Sequence, residues 1–268
     1  MQNNQHRKYI LLIRASIATH IIALCAIIIA PPYWTVAVIA IVINHLILSA
    51  IGLWPRSSWL GLNWSRLPAT ATARNEIALT IDDGPDPIVT PQVLDILDEH
   101  AVKATFFCMG EKATRYPEVC REIVRRGHAI ENHSQHHPLY FSLLGPNGFR
   151  REIQAAQDTL IAITGQTPVF FRAPAGLRNP FLAPVLIKLG LTLASWSARG
   201  FDTQVNDPKK VSDKLLHDLR AGAILLLHDG HAALTANGIP VIIAVLPATL
   251  AYIKTKQLRL VTMRRALL

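Results

Sequence analysis

Residues 76–85, EIALTIDDGP, join a strand-like stretch to two adjacent carboxylates. Apolar residues at positions 77, 79 and 81 alternate with Ala and Thr, a pattern typical of a short strand buried on both faces. Asp82 and Asp83 follow directly, and a Gly-Pro pair ends the strand in a turn. Neighbouring carboxylates at the end of a buried strand repel each other, so a metal or a catalytic base is the usual reason to keep both. A plain surface turn is the alternative, since Asp, Gly and Pro are ordinary turn residues.

Strand-like and helix-like stretches alternate from about residue 74 onward. This order predicts an α/β fold with parallel strands and with helices outside them. The 268 residues are enough for one such domain and an appendage. Beyond residues 76–83, strands are predicted at 103–109, 128–131, 169–172, 191–196, 223–228 and 259–262, and helices at 91–100, 116–126, 148–164, 179–189, 207–219 and 240–254.

His133 and His137 stand four residues apart in ENHSQHHP. On a helical turn, residues i and i+4 share a face, so both rings can reach one ion. Imidazole suits zinc, and a carboxylate can be the third protein ligand, which leaves one position open for water. A structural pair of histidines is the alternative interpretation. His136 is expected to face outward.

Three further polar residues also follow predicted strands: Arg172 in FRAPAG, Asp202 in WSARGFD and His228 in LLLHDG. An arginine can hold a carboxylate by hydrogen bonds, and a histidine can act as a general acid. Each of them alone could be an ordinary turn residue. The carboxyl ends of parallel strands meet at the face of an α/β barrel that holds the active site. Five such motifs at one edge therefore predict an enzyme.

In this order and spacing, TIDDGP, HSQHH, FRAPAG and LLLHDG resemble the motifs of the polysaccharide deacetylases, the NodB-like domain of carbohydrate esterase family four. The resemblance covers roughly residues 74–268. It implies a distorted (β/α) barrel, a divalent metal that is usually Zn²⁺, and removal of N- or O-acetyl groups from a sugar or glycan.

The resemblance also implies a role for each matching residue. Asp82 would be the general base, oriented by Arg172. His228 would protonate the leaving amine, with Asp202 tuning it. The metal ligands would be Asp83, His133 and His137. The backbone N–H of Ala175 would donate to the oxyanion, and Leu226 would line the acetyl pocket.

The sequence departs from the family pattern where substrate is contacted. Ala173 and Ala175 stand where the family prefers proline and an aromatic residue, and Arg199 and Thr203 stand where an acidic residue and tryptophan are common. These changes remove a sugar-stacking wall but leave the base and the metal ligands intact. A short or lipid-linked glycan is therefore a better expected substrate than a long polymer.

Two uncharged apolar runs, 15–30 and 35–53, precede the domain. As a helix, the second run spans about 28 Å, close to one hydrocarbon core, whereas the first needs residues 9–13 to reach that length. We expect a membrane hairpin over 1–54, with helices at about 10–30 and 35–53, a linker at 55–73 and the catalytic domain at 74–268. Trp59 and Trp64 are expected at the lipid interface. A cleaved signal peptide fits two apolar runs less well, and a lipoprotein signal ending at Cys25 would need a small residue where Leu24 stands.

The formal charge is +9 and the pI is ≈ 9.8, but no basic run is interleaved with aromatic residues. This pattern argues against nucleic-acid binding and favours anionic membrane lipid as a partner. Basic residues flank both spans and the 31–34 turn carries no charge, so the positive-inside rule places the domain on the cytoplasmic side of a bacterial-type cell membrane. Three cysteines without a CxxC motif are expected to be free, which suits a reducing compartment. The resemblance favours the opposite placement, with the domain outside the cell, because many members of the family act on cell-wall polymers.

Two alternative functions stay open. One is a deformylase or amidase that acts on another C–N bond, since nothing in the sequence separates acetyl from formyl. The other is an inactive, membrane-anchored glycan-binding protein, although such a protein would be expected to lose a metal ligand or the base.

Overall fold

The computed structural model describes residues 2–268, with side chains from residue 4 onward. Its α-helices are α1 (Gln2–Ile29), α2 (Trp34–Gly52), α3 (Ala69–Ala73), α4 (Val89–Glu99), α5 (Gly110–Arg115), α6 (Pro117–Arg125), α7 (Pro146–Thr164), α8 (Leu182–Lys188), α9 (Pro208–Leu216) and α10 (Val241–Thr255). Its strands are β1 (Asn63–Trp64), β2 (Glu76–Gly84), β3 (Thr105–Cys108), β4 (Ala129–Asn132), β5 (Phe170–Phe171), β6 (Thr192–Ala194), β7 (Ala198–Arg199), β8 (Ile224–His228) and β9 (Arg259–Leu260).

The strands form one parallel sheet in the order β1-β6-β5-β4-β3-β2-β8-β7, and β9 pairs with the beginning of β2. Within the described chain, β1 and β7 each pair with one neighbouring strand and not with each other, so the curled sheet stays open between them. This arrangement confirms the expected α/β fold of distorted, incomplete barrel type. All strands run in the same direction, so their carboxyl ends share one edge.

Strand β2 is an interior strand of the sheet, between β3 and β8, and all nine of its residues are buried. The side chains at 77, 79 and 81 belong to the cluster that α4 and α10 cover, whereas Ala78 lies in the inner cluster with Phe107 and Trp196. Complete burial of each Leu or Ile side chain contributes about 1.5–3 kcal/mol. The strand that carries Asp82 and Asp83 is therefore held rigidly on both faces.

The 55–73 stretch is part of the domain rather than the linker expected from its lack of periodicity. Strand β1 pairs in parallel with β6, and Trp64 packs against Phe170 with ring centroids 5.1 Å apart. Trp64 is thus buried and not at a lipid interface, whereas Trp59 is 39% exposed. A strand of two residues has no period that a sequence pattern could show.

Helices α1 and α2 form a hairpin joined by a 3₁₀ turn, Pro31–Tyr33. By length and composition, residues Asn4–Ile29 and Pro31–Gly52 are each long and apolar enough to cross a membrane. Polar residues meet across the pair: Asn44 donates to Ser16 Oγ at 2.9 Å, and the rings of His20 and His45 lie 5.2 Å apart. The two helices therefore form a packed pair, although α1 begins at Gln2, earlier than the expected residue 10.

Both free ends of the hairpin attach to the domain. In α1, Gln5 accepts a hydrogen bond from the backbone N–H of Asn63 at 3.0 Å. At the end of α2, the carbonyl of Gly52 accepts from the backbone N–H of Arg178 at 3.3 Å. The chain's N-terminal end and the domain thus lie on the same side of the hairpin.

Candidate active site

The predicted site residues gather at the carboxyl edge of the sheet, around a cavity of ≈ 290 Å³. Arg172 and Asp202 lie just behind its wall, fully buried. The predicted residues that line the cavity are Asp82, Asp83, His133, His137, Ala175, Leu226 and His228.

Asp82 is buried and paired with Arg172. One guanidinium nitrogen, Nη1, donates to Asp82 Oδ1 at 2.6 Å and to Thr80 Oγ1 at 2.8 Å. The other guanidinium nitrogens donate to the carbonyls of Ser195 and Ala194, and the group stacks on Phe107 at 4.0 Å. Because Arg172 is fixed on every side, the carboxylate of Asp82 has a single orientation, with Oδ2 left for another proton donor.

Asp83, His133 and His137 bring three possible ligand atoms within 4.8 Å of one another. Asp83 Oδ1 lies 3.2 Å from His133 Nε2 and 3.4 Å from His137 Nε2. His133 Nδ1 donates to the carbonyl of Arg172 at 2.8 Å, which holds the ring with Nε2 facing Asp83. Two imidazoles and a carboxylate are the donor set that zinc-type ions use. This trio therefore fits a divalent metal.

Without an ion, Asp83 and His133 share a proton: burial lowers the pKa of His133, but the charges of Asp82 and Asp83 outweigh it and raise that pKa above its ordinary value. Burial, together with the nearby charge of His133, lowers the pKa of His137 to about 4. Burial raises the pKa of Asp83, but hydrogen bonds with His133 and His231 outweigh it and hold that pKa well below its usual range. At neutral pH Asp83 is thus ionised and His137 neutral, as metal ligands must be, and an ion bound by the trio would displace the proton that His133 shares with Asp83.

His228 and Asp202 form a second buried pair at the end of β8, where His228 is the register partner of Asp82 on the adjacent strand β2. Asp202 Oδ1 accepts from His228 Nδ1 at 2.9 Å, and Oδ2 accepts from the backbone N–H of His228 at 2.6 Å. The ring is thus held with Nε2 available to a bound molecule. Burial lowers the pKa of His228, but the hydrogen bond and charge of Asp202 outweigh it, so the pKa lies above its ordinary value.

The FRAPAG loop forms a tight turn at the cavity rim. Ala175 has a φ of 54°, in the left-handed region that costs a non-glycine residue about 1–2 kcal/mol. Strain of this kind persists where the surroundings enforce it, and here Gly176 packs against Trp196 and Pro55. Leu226, two residues before His228 on β8, lines the cavity from below.

Three residues that line the cavity have no role predicted from the sequence: Leu139, Trp196 and His231. His231 Nδ1 lies 3.4 Å from Asp83 Oδ2. The HDGH spacing was the one available signal for His231. His136 behaves as expected, since it faces outward and contacts Glu152 at 2.8 Å.

An open, curled parallel sheet that brings Asp83, His133 and His137 within reach of one ion, beside two buried ion pairs, is the arrangement expected of a metal-dependent hydrolase. The family profile described as polysaccharide deacetylase matches residues 69–194. A chitooligosaccharide deacetylase of Azorhizobium caulinodans is 39% identical over 158 residues, which cover 59% of this chain and 75% of the relative. A peptidoglycan-N-acetylglucosamine deacetylase of Bacillus cereus is 29% identical over 212 residues, 78% of this chain and 75% of the relative.

Solved structures agree. A crystallised peptidoglycan N-acetylglucosamine deacetylase superimposes with a TM-score of 0.68 and 27% identity, covering 76% of this chain and 92% of that one. A family 4 carbohydrate esterase from Streptomyces lividans gives a TM-score of 0.62 and 29% identity, over 69% and 90% of the two chains. The chain belongs to the polysaccharide deacetylase family, whose members are metal-dependent, and it is a hydrolase that acts on a carbon–nitrogen bond of acetylated sugars.

Proposed function

We propose that this protein removes the acetyl group from an N-acetylated amino sugar, with Asp82 as general base and His228 as general acid. The observation that carries the proposal is the placement of two buried pairs, Asp82–Arg172 and His228–Asp202, around one cavity that also holds the Asp83, His133 and His137 trio. Relatives named for chitooligosaccharide and for peptidoglycan N-acetylglucosamine support this substrate class.

Asp83, His133 and His137 would hold the divalent ion, Zn²⁺ by the chemistry of the donor set, and the ion would polarise the acetyl carbonyl and acidify water. Asp82 takes a proton from the attacking water, and the backbone N–H of Ala175 donates to the developing oxyanion. His228 delivers its proton to the sugar nitrogen as the C–N bond breaks. The products are acetate and a free amine.

A second cavity suggests a lipid-linked substrate. Its volume is ≈ 700 Å³, it shares Trp196 and Arg199 with the active-site cavity, and the 54–56 stretch that follows α2 also lines it. The two cavities are thus neighbours, and the second extends from Trp196 and Arg199 to the residues that follow the membrane hairpin. A sugar on a lipid carrier would place its acetamide at the metal site and its carrier toward this second cavity.

A panel of substrates tests the proposed function. Full-length, Zn²⁺-loaded protein in detergent should release acetate from N-acetylated sugars, fastest from a lipid-linked one, as measured by acetate quantification. Release of formate from the N-formyl analogues in preference to acetate would make the protein a deformylase instead. No acyl release from any member of the panel would overturn the proposal.

The pH profile should report on His228. A general acid acts in its protonated form, so kcat should fall as the pH rises through the elevated pKa of His228. Replacing Asp202 with asparagine removes the charged acceptor, so burial then dominates and the alkaline limb should move to lower pH by about 1–2 pH units. Asp158→Asn, an exposed change on α7, is the matched control. An unmoved alkaline limb in Asp202→Asn would contradict the role of Asp202.

The placement of the domain is also part of the proposal. We infer that the hairpin anchors the protein in a cell membrane with the domain in the cytoplasm, because Arg7, Lys8 and Arg14 lie in the first half of α1, before its uncharged run, while the 31–34 turn is uncharged. The three cysteines are unbridged, which suits a reducing compartment.

A reporter fused after Leu268 tests the side of the membrane. A reporter that fluoresces only in the cytoplasm should be bright, and alkaline phosphatase at the same position should be inactive. The reverse pattern would place the domain outside and would favour a cell-wall substrate over a precursor.

A further inference from the structure

A separate cavity of ≈ 250 Å³ lies between the beginning of α1 and the domain, away from the active site. Its lining is mostly apolar and comes from α8, β6 and the loop before β1. The permanent positive charge in it is Arg178, and α1 contributes His6 and Tyr9. The apolar lining residues include Leu60, Leu62, Leu182, Leu186, Ile187 and Leu193.

Arg178 is 3% exposed, yet its guanidinium is poorly satisfied. Nη2 donates to the carbonyl of Ser57, whereas Nε and Nη1 have no acceptor among residues 4–268. No carboxylate in that part of the chain pairs with it, and burial alone lowers its pKa to about 10. Arg178 is thus still charged at neutral pH. A buried charge without a partner is strongly unfavourable, which points to an anion that completes the site.

The position of the cavity indicates where that anion comes from. The cavity lies where the polar beginning of α1 gives way to its apolar run, and Tyr9 donates to the carbonyl of Pro180 at 3.3 Å. Nearby, Lys8 lies over the half-exposed ring of Trp59, 5.7 Å from its centroid. Tryptophan, tyrosine and lysine at the end of an apolar helix are typical of the lipid–water interface.

We propose that this cavity binds an anionic membrane lipid, with the phosphate on Arg178 and the beginning of an acyl chain on the apolar lining. The proposal rests on the membrane placement of the hairpin. The apolar lining favours a phosphate that carries a hydrocarbon chain over a free phosphate ion. Lys8 and its neighbours Arg7 and Arg14 would add attraction for an anionic surface. The bound lipid would contact both α1 and Arg178, which is only three residues after Ala175 at the active-site rim.

Thermal unfolding of the full-length protein in non-ionic detergent tests the proposal. Dioctanoyl phosphatidylglycerol should raise Tm, because a ligand that binds only the folded state stabilises it. Dioctanoylglycerol, which lacks phosphate, and inorganic phosphate, which lacks a chain, should each have a much smaller effect. Equal stabilisation by inorganic phosphate would assign the site to free phosphate and overturn the lipid proposal.

Variants locate the effect. Arg178→Met should weaken the affinity for phosphatidylglycerol about tenfold or more, since it removes charged hydrogen bonds. Without lipid, its Tm should be unchanged or higher, because an unpaired buried charge is gone. Ile187→Glu, at an exposed position on the rim, should also weaken the affinity without touching the core. Arg150→Gln, an exposed change on α7, should leave the lipid response intact.

Native mass spectrometry gives an independent readout. It should show one phosphatidylglycerol retained on the wild type and none on Arg178→Met. Retention of the full lipid response by both Arg178→Met and Ile187→Glu would overturn the proposal. These binding measurements do not use catalysis. A protein that binds the lipid but deacetylates no sugar would refute the proposed function alone.

Discussion

Replacing Asp82 with asparagine should lower kcat about 10²–10⁴-fold on a confirmed substrate, the usual effect of losing a general base. Asparagine keeps the shape of the carboxylate but cannot take a proton from water. The Asp83, His133 and His137 trio is untouched, so the metal content of the purified variant should match that of the wild type. Released acetate and metal content, measured on the same preparation, separate lost chemistry from lost metal.

Stability needs its own control, since Asp82→Asn leaves the fully buried Arg172 without its charged partner. Breaking a buried pair from one side costs about 3–5 kcal/mol. Adding Arg172→Met should recover part of the lost Tm but none of the lost rate. Asp158→Asn serves again as the exposed control. If Asp82→Asn kept more than half of the wild-type rate, Asp82 would not be the base.

The order of the strands and helices could be predicted from the sequence because the strongest sequence signals for it are local. In β2, apolar residues at 77, 79 and 81 are followed by two carboxylates, and the structure places that strand inside the sheet with both faces covered. Parallel strands bring their carboxyl ends to one edge, so the position of His133, Arg172 and His228 after separate strands was enough to predict that they would meet.

Contacts between distant parts of the chain could not be predicted from the sequence. Strand β1 is two residues long and is recognised only by its pairing with β6, so the sequence pattern of 55–73 predicts a linker. The attachment of the hairpin is similar, since the carbonyl of Gly52 meets the N–H of Arg178 across 126 residues of chain. In the sequence Arg178 cannot be told from other loop arginines. Only the structure shows that it is buried without a charged partner.

Within the site, the residue types were predictable but their partners were only partly so. The four-residue spacing of His133 and His137 suggested a shared ion, and their Nε2 atoms do both face Asp83. The spacing could not show that the carbonyl of Arg172 fixes the tautomer of His133, or that His231 reaches Asp83 from beyond β8. Such contacts depend on loop geometry, which local patterns do not specify.

Replacing His133 with alanine should abolish tight metal binding and with it all measurable deacetylation. The wild type should hold about one equivalent of divalent ion through three protein ligands, and two ligands rarely suffice. The loss should exceed that of a neighbouring surface histidine, because His133 is 2% exposed and its Nε2 faces the carboxylate of Asp83 at 3.2 Å. Metal analysis after dialysis against Zn²⁺ measures the effect directly.

His136→Ala is the matched control, because His136 lies three residues away in the same motif but is exposed and contacts Glu152. It should keep both metal and activity. A chelator should inactivate the wild type and His136→Ala alike, and added Zn²⁺ should restore both, whereas His133→Ala should not respond. A wild type that binds no divalent ion after Zn²⁺ loading, or a His133→Ala variant that still holds a full equivalent, would remove the metal site from this protein.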